Sequence, residues 1–392
     1  MISLCTDVAW QSLNKYGEEL CGDSVAVINP DEKTTVAVLA DGLGSGVKAC
    51  ILSTLTAKII STMIAQNMPL AECISAMAAT LPVCSVRGVA YSTFSVIRIV
   101  NNSHAEIIQF DNPAVILLRD GKHYEFPSIS QTIEKKTIYI SELAIQEGDA
   151  FIIVSDGVEH AGVGQAFNLD WRRADIIGFM EGLYKSEYTA HTLTSALLEQ
   201  CKFFYDERPG DDATVCTIKI RRRRPVNLMI GPPQNPKDVE KMMDLFFGKA
   251  GRHIVCGGTT AGLTAEYLGK RVVADLPGKD QDPDIPPAAS IEGVDLATEG
   301  VVTIGKVLEY SYKHLQGECN YYDLVRKRDG ASQIAVMLFE EATDINFFVG
   351  KAVNPAHQNP RLPINFSIKM RLVRELAENL EKMGKHVKTS YF

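Results

Sequence analysis

One stretch near the N-terminus constrains the fold most, because it has the pattern of a strand, a glycine-rich turn and a helix in succession. Residues 36–40 are all apolar, and Asp41 follows them directly. Three glycines come next within five residues, and apolar residues then recur at helical spacing from Val47 to Ala65. The pattern predicts a buried strand that ends at a carboxylate and a long helix just after the turn. A carboxylate beside backbone that lacks Cβ atoms favours binding of a metal or a phosphate.

Three interpretations of this turn compete. A dinucleotide-binding turn needs glycines at its first, third and sixth positions, and the sixth position here is Val47. A P-loop would use Lys48, but no glycine precedes this lysine, and Ala49 replaces the Ser or Thr that contacts magnesium. The third interpretation makes Asp41 a metal ligand. It predicts further aspartates at other strand ends, and the chain contains them.

Length and composition indicate a globular protein of two domains. The chain has 392 residues, of which 46% are hydrophobic and 22% are charged. The formal net charge is -8 and the isoelectric point is about 5.6. An acidic chain of this kind argues against nucleic acid as the main partner.

The same sequence indicates a cytoplasmic location. No apolar run approaches the length of a membrane span without a charge, so we expect no membrane partner. The first seven residues lack the basic region and long apolar run of a signal peptide. Nine cysteines are scattered singly, with no Cys-x-x-Cys pair, which favours reduced thiols over disulfides or a zinc site.

Strand and helix patterns divide the chain into two parts. Residues 1–220 are rich in strand patterns, with helices predicted at 47–66, 69–80, 174–184 and 189–203, which indicates an α+β fold, an antiparallel β-sandwich flanked by helices. Residues 221–225, four arginines and a proline, are interpreted as a solvated linker in preference to a phosphate- or partner-binding patch. Residues 226–392 alternate strand and helix patterns and predict a second, smaller α/β domain with a regulatory or ligand-binding role.

Aspartates beside glycines or beside one another recur next to the predicted strands of the first domain. They are Asp23, Asp41, Asp156, Asp211 and Asp212. Singly, each is more typical of a turn. Brought together, their carboxylates would repel and raise one another's pKa unless cations lay between them. An oxygen-rich set without His or Cys suits two hard ions, Mn or Mg.

The motifs that carry these aspartates resemble those of a known family. In chain order they are Gly22-Asp23-Ser24, the stretch 39–46, Phe110-Asp111-Asn112-Pro113, Val154-Ser155-Asp156-Gly157-Val158 and Asp211-Asp212-Ala213-Thr214-Val215. Over about residues 1–220 the chain resembles the metal-dependent (type 2C) serine/threonine protein phosphatases. The glycine-rich turn and the Asn-Pro motif are most similar to the bacterial branch typified by the sporulation stage II phosphatase.

The resemblance implies a fold, a reaction and a set of site residues. The implied fold is two antiparallel sheets between layers of helices. The implied reaction is hydrolysis of phosphoserine or phosphothreonine by a water that two metal ions activate, without a covalent enzyme intermediate. The catalytic residues would be Asp23 and Asp41. The metal ligands would be Asp23, Asp41, the backbone carbonyl of Gly42, Asp156, Asp211 and Asp212.

Two departures from the wider family concern how the substrate is held. Many relatives carry an N-terminal arginine that grips the phosphate, whereas Lys15 and Lys33 are the only basic residues before Asp41 here. Gly22 also stands where those relatives have a glutamate, and the bacterial branch resembles this chain in both respects. His160 is a candidate proton donor to the leaving group, or alternatively a surface histidine at a helix start.

The second domain resembles no family by its motifs. Residues 254–261 have the strand–glycine–helix pattern of an anion-binding turn, and a capped strand-to-helix turn explains the same residues.

The sequence therefore predicts a cytoplasmic protein serine/threonine phosphatase acting on a phosphorylated regulatory protein. The second domain would bind a small molecule or a protein. The alternative is a catalytically weak regulator with the same fold that binds a phosphoprotein. In a third hypothesis the second domain is itself a small-molecule enzyme.

Overall fold

The computed structural model describes residues 4–80, 92–133, 136–163, 171–274, 287–319, 321–352 and 368–392. The chain divides into two compact units, Met1–Arg222 and Arg223–Phe392. Strands of the first unit are β1 (Leu4–Leu13), β2 (Asp23–Asp31), β3 (Thr34–Asp41), β4 (Thr93–Val100), β5 (His104–Phe110), β6 (Ile116–Arg119), β7 (Lys122–His123), β8 (Ile129–Ile133), β9 (Lys136–Ala144), β10 (Ala150–Val154) and β11 (Ala213–Arg222). Its helices are α1 (Gly46–Ala65), α2 (Leu70–Thr80), α3 (Asp156–Glu159), α4 (Arg173–Leu183) and α5 (Ala190–Phe204).

Two antiparallel sheets form the centre of the first unit. The six-stranded sheet has the order β2-β3-β4-β5-β9-β8, and the five-stranded sheet has the order β1-β11-β10-β6-β7. Side chains from both sheets, such as Leu39 and Ile97 from one and Phe151 and Ile218 from the other, share one buried cluster. Alternate residues of each strand therefore fill the space between the sheets.

Helices cover the outer faces of both sheets. Ile60 and Ile64 of α1 and Ile74 of α2 pack against Val38 and Val96 of the six-stranded sheet. On the other side, α5 lies against β1 and β11, where Thr194 Oγ1 donates to Thr217 Oγ1 at 2.8 Å. The predicted α+β sandwich is confirmed, with four layers in the order helix, sheet, sheet, helix.

Helix α1 confirms the helix predicted after the glycine-rich turn, but its buried face differs from its most apolar face. Short residues, including Ala49 and Ser53, are fully buried against the sheet, whereas Val47, Ile51 and Leu55 are 60%, 52% and 41% exposed. The short side chains let the helix backbone approach the turn closely. The three exposed residues, four positions apart, form one apolar row that we call the α1 outer stripe.

By length and composition alone, α1 meets the requirements for a membrane span, and it contains Lys48 and Lys58. A core helix of a soluble protein meets the same requirements, so this is weak evidence. The absence of a membrane partner stays a prediction.

The arginine run at the boundary is not the solvated linker that its composition indicates. Arg221 and Arg222 continue β11, opposite Cys5 and Leu4 of β1. Arg221 is 7% exposed, and its Nη1 atom lies 3.0 Å from Asp7 Oδ2. A run of like charges is accommodated within a strand here because alternate side chains point to opposite faces, so a carboxylate can pair with each arginine separately.

The second unit contains a doubly wound parallel sheet. Its strands are β12 (Pro225–Ile230), β13 (Arg252–Cys256), β14 (Val273–Ala274), β15 (Ala289–Ser290), β16 (Leu296–Thr298), β17 (Asp344–Val349) and β18 (His386–Tyr391). Its helices are α6 (Val239–Phe247), α7 (Gly258–Leu268), α8 (Val301–Leu315), α9 (Tyr321–Lys327), α10 (Gly330–Ala335) and α11 (Ile368–Lys382), with a 3₁₀ turn at Pro236–Asp238 and a π-helix at Val336–Glu341.

The parallel part of this sheet runs in the order β16-β13-β12-β17-β18, and β14 and β15 extend it antiparallel beyond β16. Leu228 and Ile230 of β12 pack with α8, α10 and α11 on one face, and Met229 packs with α6 and α7 on the other. The predicted α/β arrangement of the second part is confirmed.

Several elements differ from the sequence-based expectation. The residue pattern does not indicate β1 and β18, which are edge strands rich in polar residues, or the short strands β8, β15 and β16. The residue pattern over 321–341 predicts one continuous helix, but Asp329 caps a new helix, α10, by accepting from Ser332 N at 2.8 Å. Side-chain capping at an internal position ends one helix and starts the next.

Candidate metal centre

The antiparallel pairing of β2 and β3 places two of the predicted aspartates side by side. Asp23 is the first residue of β2 and Asp41 is the last residue of β3, and the two are directly opposite in the register. Residues opposite each other in an antiparallel pair have Cβ atoms about 4.5–5.5 Å apart. The peptide N–H of Gly42 continues the pairing by donating to the carbonyl of Gly22 at 3.1 Å.

The second sheet supplies the remaining carboxylates. Asp156 begins α3, two residues after β10 ends, and Asp212 immediately precedes β11. The two segments are joined through Ser155, whose N–H donates to the Thr214 carbonyl at 3.0 Å and whose Oγ accepts from Thr214 N at 2.8 Å. The side chain of Asn112 then links the sheets, donating to Ser95 Oγ of β4 at 2.9 Å and to the Val154 carbonyl of β10 at 3.1 Å.

Two glycines make this convergence possible. A Cβ atom on Gly22 would lie 2.7 Å from Asp212 Oδ2, and one on Gly42 would collide with the backbone carbonyl of Ala49 in α1. Both contacts are closer than a Cβ atom allows. The glutamate that other relatives carry at the position of Gly22 would therefore displace Asp212 in this chain.

Burial and mutual repulsion make Asp23 and Asp41 hard to ionise. Burial, then the charges of Asp212 and Asp156, raise the pKa of Asp23 to about 7, against hydrogen bonds from Ser155 and Thr214 that lower it. Burial, the charges of Asp23 and Asp156 and a hydrogen bond with Asp156 raise the pKa of Asp41 to about 9. The expectation that clustered carboxylates raise one another's pKa is confirmed, with burial as the largest cause.

Asp156 and Asp211 form the outer part of the cluster. Partial burial, followed by the charge of Asp211, raises the pKa of Asp156, while a hydrogen bond with Asp41 and the charge of His160 lower it. Asp156 is exposed to solvent and Asp211 is half-buried, so the cluster opens to water on this side.

The cluster fits hard divalent cations. Asp23 Oδ2 and Asp212 Oδ2 are buried and have no hydrogen-bond partner among the described residues. A buried carboxylate oxygen without a partner is costly, and a cation satisfies it. The acidic side chains that converge here offer carboxylate oxygens, which are the donors that Mg²⁺ and Mn²⁺ prefer.

The structure brings together the five aspartates and Gly42 that the sequence singled out, and it adds Lys15. The loop after β1 places the Lys15 N–H 3.0 Å from Asp212 Oδ1 and the Lys15 ammonium 3.8 Å from Asp211 Oδ1. The sequence gives no clear strand pattern before this lysine, because Ala9 between Val8 and Trp10 is also apolar and Ser12 is polar.

Two further side chains border the cluster. His160 ends α3, its N–H donates to the Asp156 carbonyl at 3.0 Å, and its side chain is exposed. Tyr205 Oη donates to the Gly157 carbonyl at 2.6 Å, and this hydrogen bond stabilises the start of α3. Nothing in the sequence pattern around Tyr205 indicates this contact.

Paired antiparallel sheets between helix layers, with an acidic cluster where β2, β3, β10 and β11 meet, agree with the fold and the site that the resemblance to type 2C (PP2C-like) phosphatases implies. A family model described as "Stage II sporulation protein E (SpoIIE)" matches residues 31–221. The resemblance to the bacterial sporulation-type branch is confirmed for this unit.

Solved structures with a similar fold share little sequence with this chain. The phosphatase domain of the cell fate determinant SpoIIE from Bacillus subtilis is 17% identical, with a TM-score of 0.44 over 57% of this chain and 95% of that chain. RsbX in complex with magnesium is 21% identical (TM-score 0.40, 56% and 100% covered). The catalytic domain of the phosphatase PstP with two manganese ions is 15% identical (TM-score 0.38, 56% and 100% covered). No curated protein sequence matches the chain.

Proposed function

We propose that the first unit is a metal-dependent serine/threonine protein phosphatase that acts on a phosphorylated regulatory protein. The observation that carries the proposal is the register of β2 and β3, which sets Asp23 against Asp41 within reach of Asp156, Asp211 and Asp212. The complete acidic set does not favour the alternative of a catalytically weak phosphoprotein-binding regulator.

Asp23, Asp41, Asp156, Asp211, Asp212 and the Gly42 carbonyl would hold two Mn²⁺ or Mg²⁺ ions. Such ions, when bound, polarise a phosphate ester and lower the pKa of a water molecule toward neutrality. Asp23, Asp41 and Asp156, whose pKa values are raised, would lose their protons when the cations bind. The buried side of the cluster excludes bulk solvent from Asp23.

Lys15 supports the substrate-binding part of the proposal. Its side chain is 38% exposed, and its ammonium lies on the open side of the cluster, beside Asp211. A phosphate dianion that approaches this side meets a positive charge where the N-terminal arginine of other relatives is missing. We assign to Lys15 the electrostatic attraction of the substrate phosphate. His160, exposed and next to Asp156, stays a hypothesis as proton donor to the leaving serine or threonine oxygen.

Substrate choice is proposed to depend on surface around the cluster. The α1 outer stripe exposes three apolar side chains on the helix that begins five residues after Asp41. An exposed apolar row next to a charged site is typical of a protein-binding surface. It suits a folded phosphoprotein better than a short peptide, because only a folded partner presents a second surface to contact it.

The decisive experiment measures phosphate release from a phosphoserine protein as a function of Mn²⁺ or Mg²⁺ concentration. We expect hydrolysis that is abolished by chelation and restored by metal. A protein that binds Mn²⁺ but releases no phosphate from any candidate phosphoprotein would support the non-catalytic regulator instead.

A further inference from the structure

The parallel sheet of the second unit has a topological switch point. From one edge to the other, the five parallel strands are the third, second, first, fourth and fifth of this sheet in chain order. The chain therefore runs from β12 toward one edge through β13 and β16, and then returns to the other side of β12 as β17. In sheets of this kind, ligands bind in the crevice beyond the carboxyl ends of the two strands at the switch. Gly231 follows the end of β12, and Gly350 follows the end of β17. Gly350 N donates to the carbonyl of Ile230, the last residue of β12, at 3.0 Å, so the two strand ends are joined.

A buried lysine lies at this crevice. Lys369 is the second residue of α11, it is 8% exposed, and its ammonium donates to the carbonyls of Gly350 and Ala352. A Cβ atom on Gly231 would collide with this ammonium, so the lysine rests directly on the turn after β12. Two carbonyls use two of the three donors of the ammonium, and no acceptor among the described residues takes the third.

The positive charge of Lys369 has no counter-ion among the described residues. Burial is the sole cause of its lowered pKa, and no carboxylate contributes. The first turn of α11 also contains no acidic residue, although the N-terminus of a helix is itself a positive end. Lysine in the first turn of a helix is therefore unfavourable in two ways, and an anion would relieve both.

The start of α7 borders the same crevice. Thr260, in the first turn of α7, accepts from Gly231 N through Oγ1 at 3.0 Å, so α7 and Lys369 both contact this glycine. The N-cap residue of α7 is Gly257, which has no side chain to accept from the first N–H groups of the helix. The first turn of α7 also contains no acidic residue. The N–H groups of Gly258 and Thr259 have no acceptor among the described residues, and both residues are exposed.

From this placement we infer that the crevice between β12 and β17 is a binding site for a small molecule that carries a phosphate group. The ammonium of Lys369 adds one positive charge, and each helix N-terminus acts as about half a charge. Together they match a phosphate dianion better than a single carboxylate. Phosphate oxygens would accept from the N–H groups of α7 and from the third donor of Lys369.

The test is a calorimetric titration of the full chain with inorganic phosphate and, separately, with AMP. EDTA and the Asp41→Asn background keep the first unit from binding phosphate through metals. We expect saturable binding of both probes, weakened about 10- to 100-fold by Lys369→Met because a charge-assisted hydrogen bond is lost. Lys382→Met, at the far end of the same helix and exposed, is the matched control and should bind normally.

A second variant keeps the test valid if Lys369→Met does not fold. Thr259→Glu places an acid in the exposed first turn of α7, where it stabilises the helix but repels phosphate, so the protein should melt no lower and bind neither probe. Tighter binding of AMP than of phosphate would identify a nucleotide-type ligand, and equal binding a simpler phosphate ester, both in support of the site. If the unmodified chain bound neither probe, or if Lys369→Met and Thr259→Glu both bound the probes as tightly as the unmodified chain, the inference would be overturned. Neither result would bear on the phosphatase proposal.

Discussion

Asp23 and Asp41 lie directly opposite each other at the end of the β2–β3 pair, and both are acids with raised pKa values. Like charges opposite each other destabilise a sheet, and nothing in the strand pair requires them there. The arrangement costs stability unless cations are bound, which is typical of a functional site rather than a structural one.

Asp41→Asn should remove most metal-dependent hydrolysis of a phosphoserine substrate while the protein stays folded. The substitution keeps the size of the side chain but removes a charge that would hold the cations, so we expect a loss of more than about 100-fold. Asp31→Asn, at the exposed opposite end of β2, is the matched control and should retain full activity. Unchanged turnover in Asp41→Asn would contradict the assignment of this carboxylate to the metal centre.

Metal-free protein should lose stability as pH rises. The pKa values of Asp23 and Asp41 in the folded state, about 7 and about 9, exceed the ordinary value of 3.8, so the folded protein binds more protons than the unfolded chain between these values. This stabilisation is complete below about pH 4 and disappears as pH passes through 7 and then 9.

Thermal unfolding in EDTA at about pH 5.5 and about pH 8.5 checks this linkage, with a lower Tm expected at the higher pH. Added Mn²⁺ should raise the Tm more at the higher pH, because the cations then displace fewer protons. In EDTA, Asp41→Asn should make the fall in Tm between the two pH values smaller. A Tm in EDTA that rises from the lower to the higher pH would contradict the raised pKa values of Asp23 and Asp41.

Lys15→Met should raise KM for a phosphoprotein substrate and leave kcat nearly unchanged. The ammonium attracts phosphate but is not expected to interact more strongly in the transition state, so the loss is one of uniform binding, about 3- to 10-fold. Lys33→Met, the other basic residue before Asp41 and also exposed, is the control. If both variants showed the same KM as the unmodified protein, substrate attraction would have to come from other groups.

The first unit should fold and hydrolyse substrate on its own, with an altered rate or metal affinity. A fragment of residues 1–222 keeps the ion pair between Arg221 and Asp7, both nearly buried, whereas a fragment of residues 1–220 leaves Asp7 without this partner. Breaking a buried ion pair costs about 3–5 kcal/mol, so the shorter fragment should unfold at a much lower urea concentration. Insolubility of both fragments would mean that the two units share one core.

Activity on free phosphopeptides should be low, and activity on one intact phosphoprotein much higher. Ile51→Ser in the α1 outer stripe, or Glu72→Lys in α2, should weaken only the second activity, because a peptide does not reach these surfaces. Surface changes in residues 69–85, the segment that follows α1, are expected to have the same effect, and residues 81–85 lie outside the described residues. Lys58→Gln, exposed and farther along α1, serves as control. Equal catalytic efficiency on peptide and intact protein would exclude docking.

What the sequence by itself determined is local. A buried strand with Asp41 at its end, a glycine-rich turn and a long helix follow from apolar spacing and from the residues that break it. The aspartates at the strand ends, the antiparallel pattern of the first part and the alternating pattern of the second were also readable, because each depends on neighbours within a few positions.

Tertiary structure decided which of these features meet. Register set Asp23 against Asp41, and contacts between sheets brought Asp212 and Lys15 to them, across separations that no local pattern encodes. Close approach of α1 to the glycine turn buried its short residues and exposed Ile51, reversing the face that hydropathy favours. The same holds for Lys369, an ordinary surface residue by its helical pattern, which became a buried charge only because the strand order placed Gly231 and Gly350 beneath it.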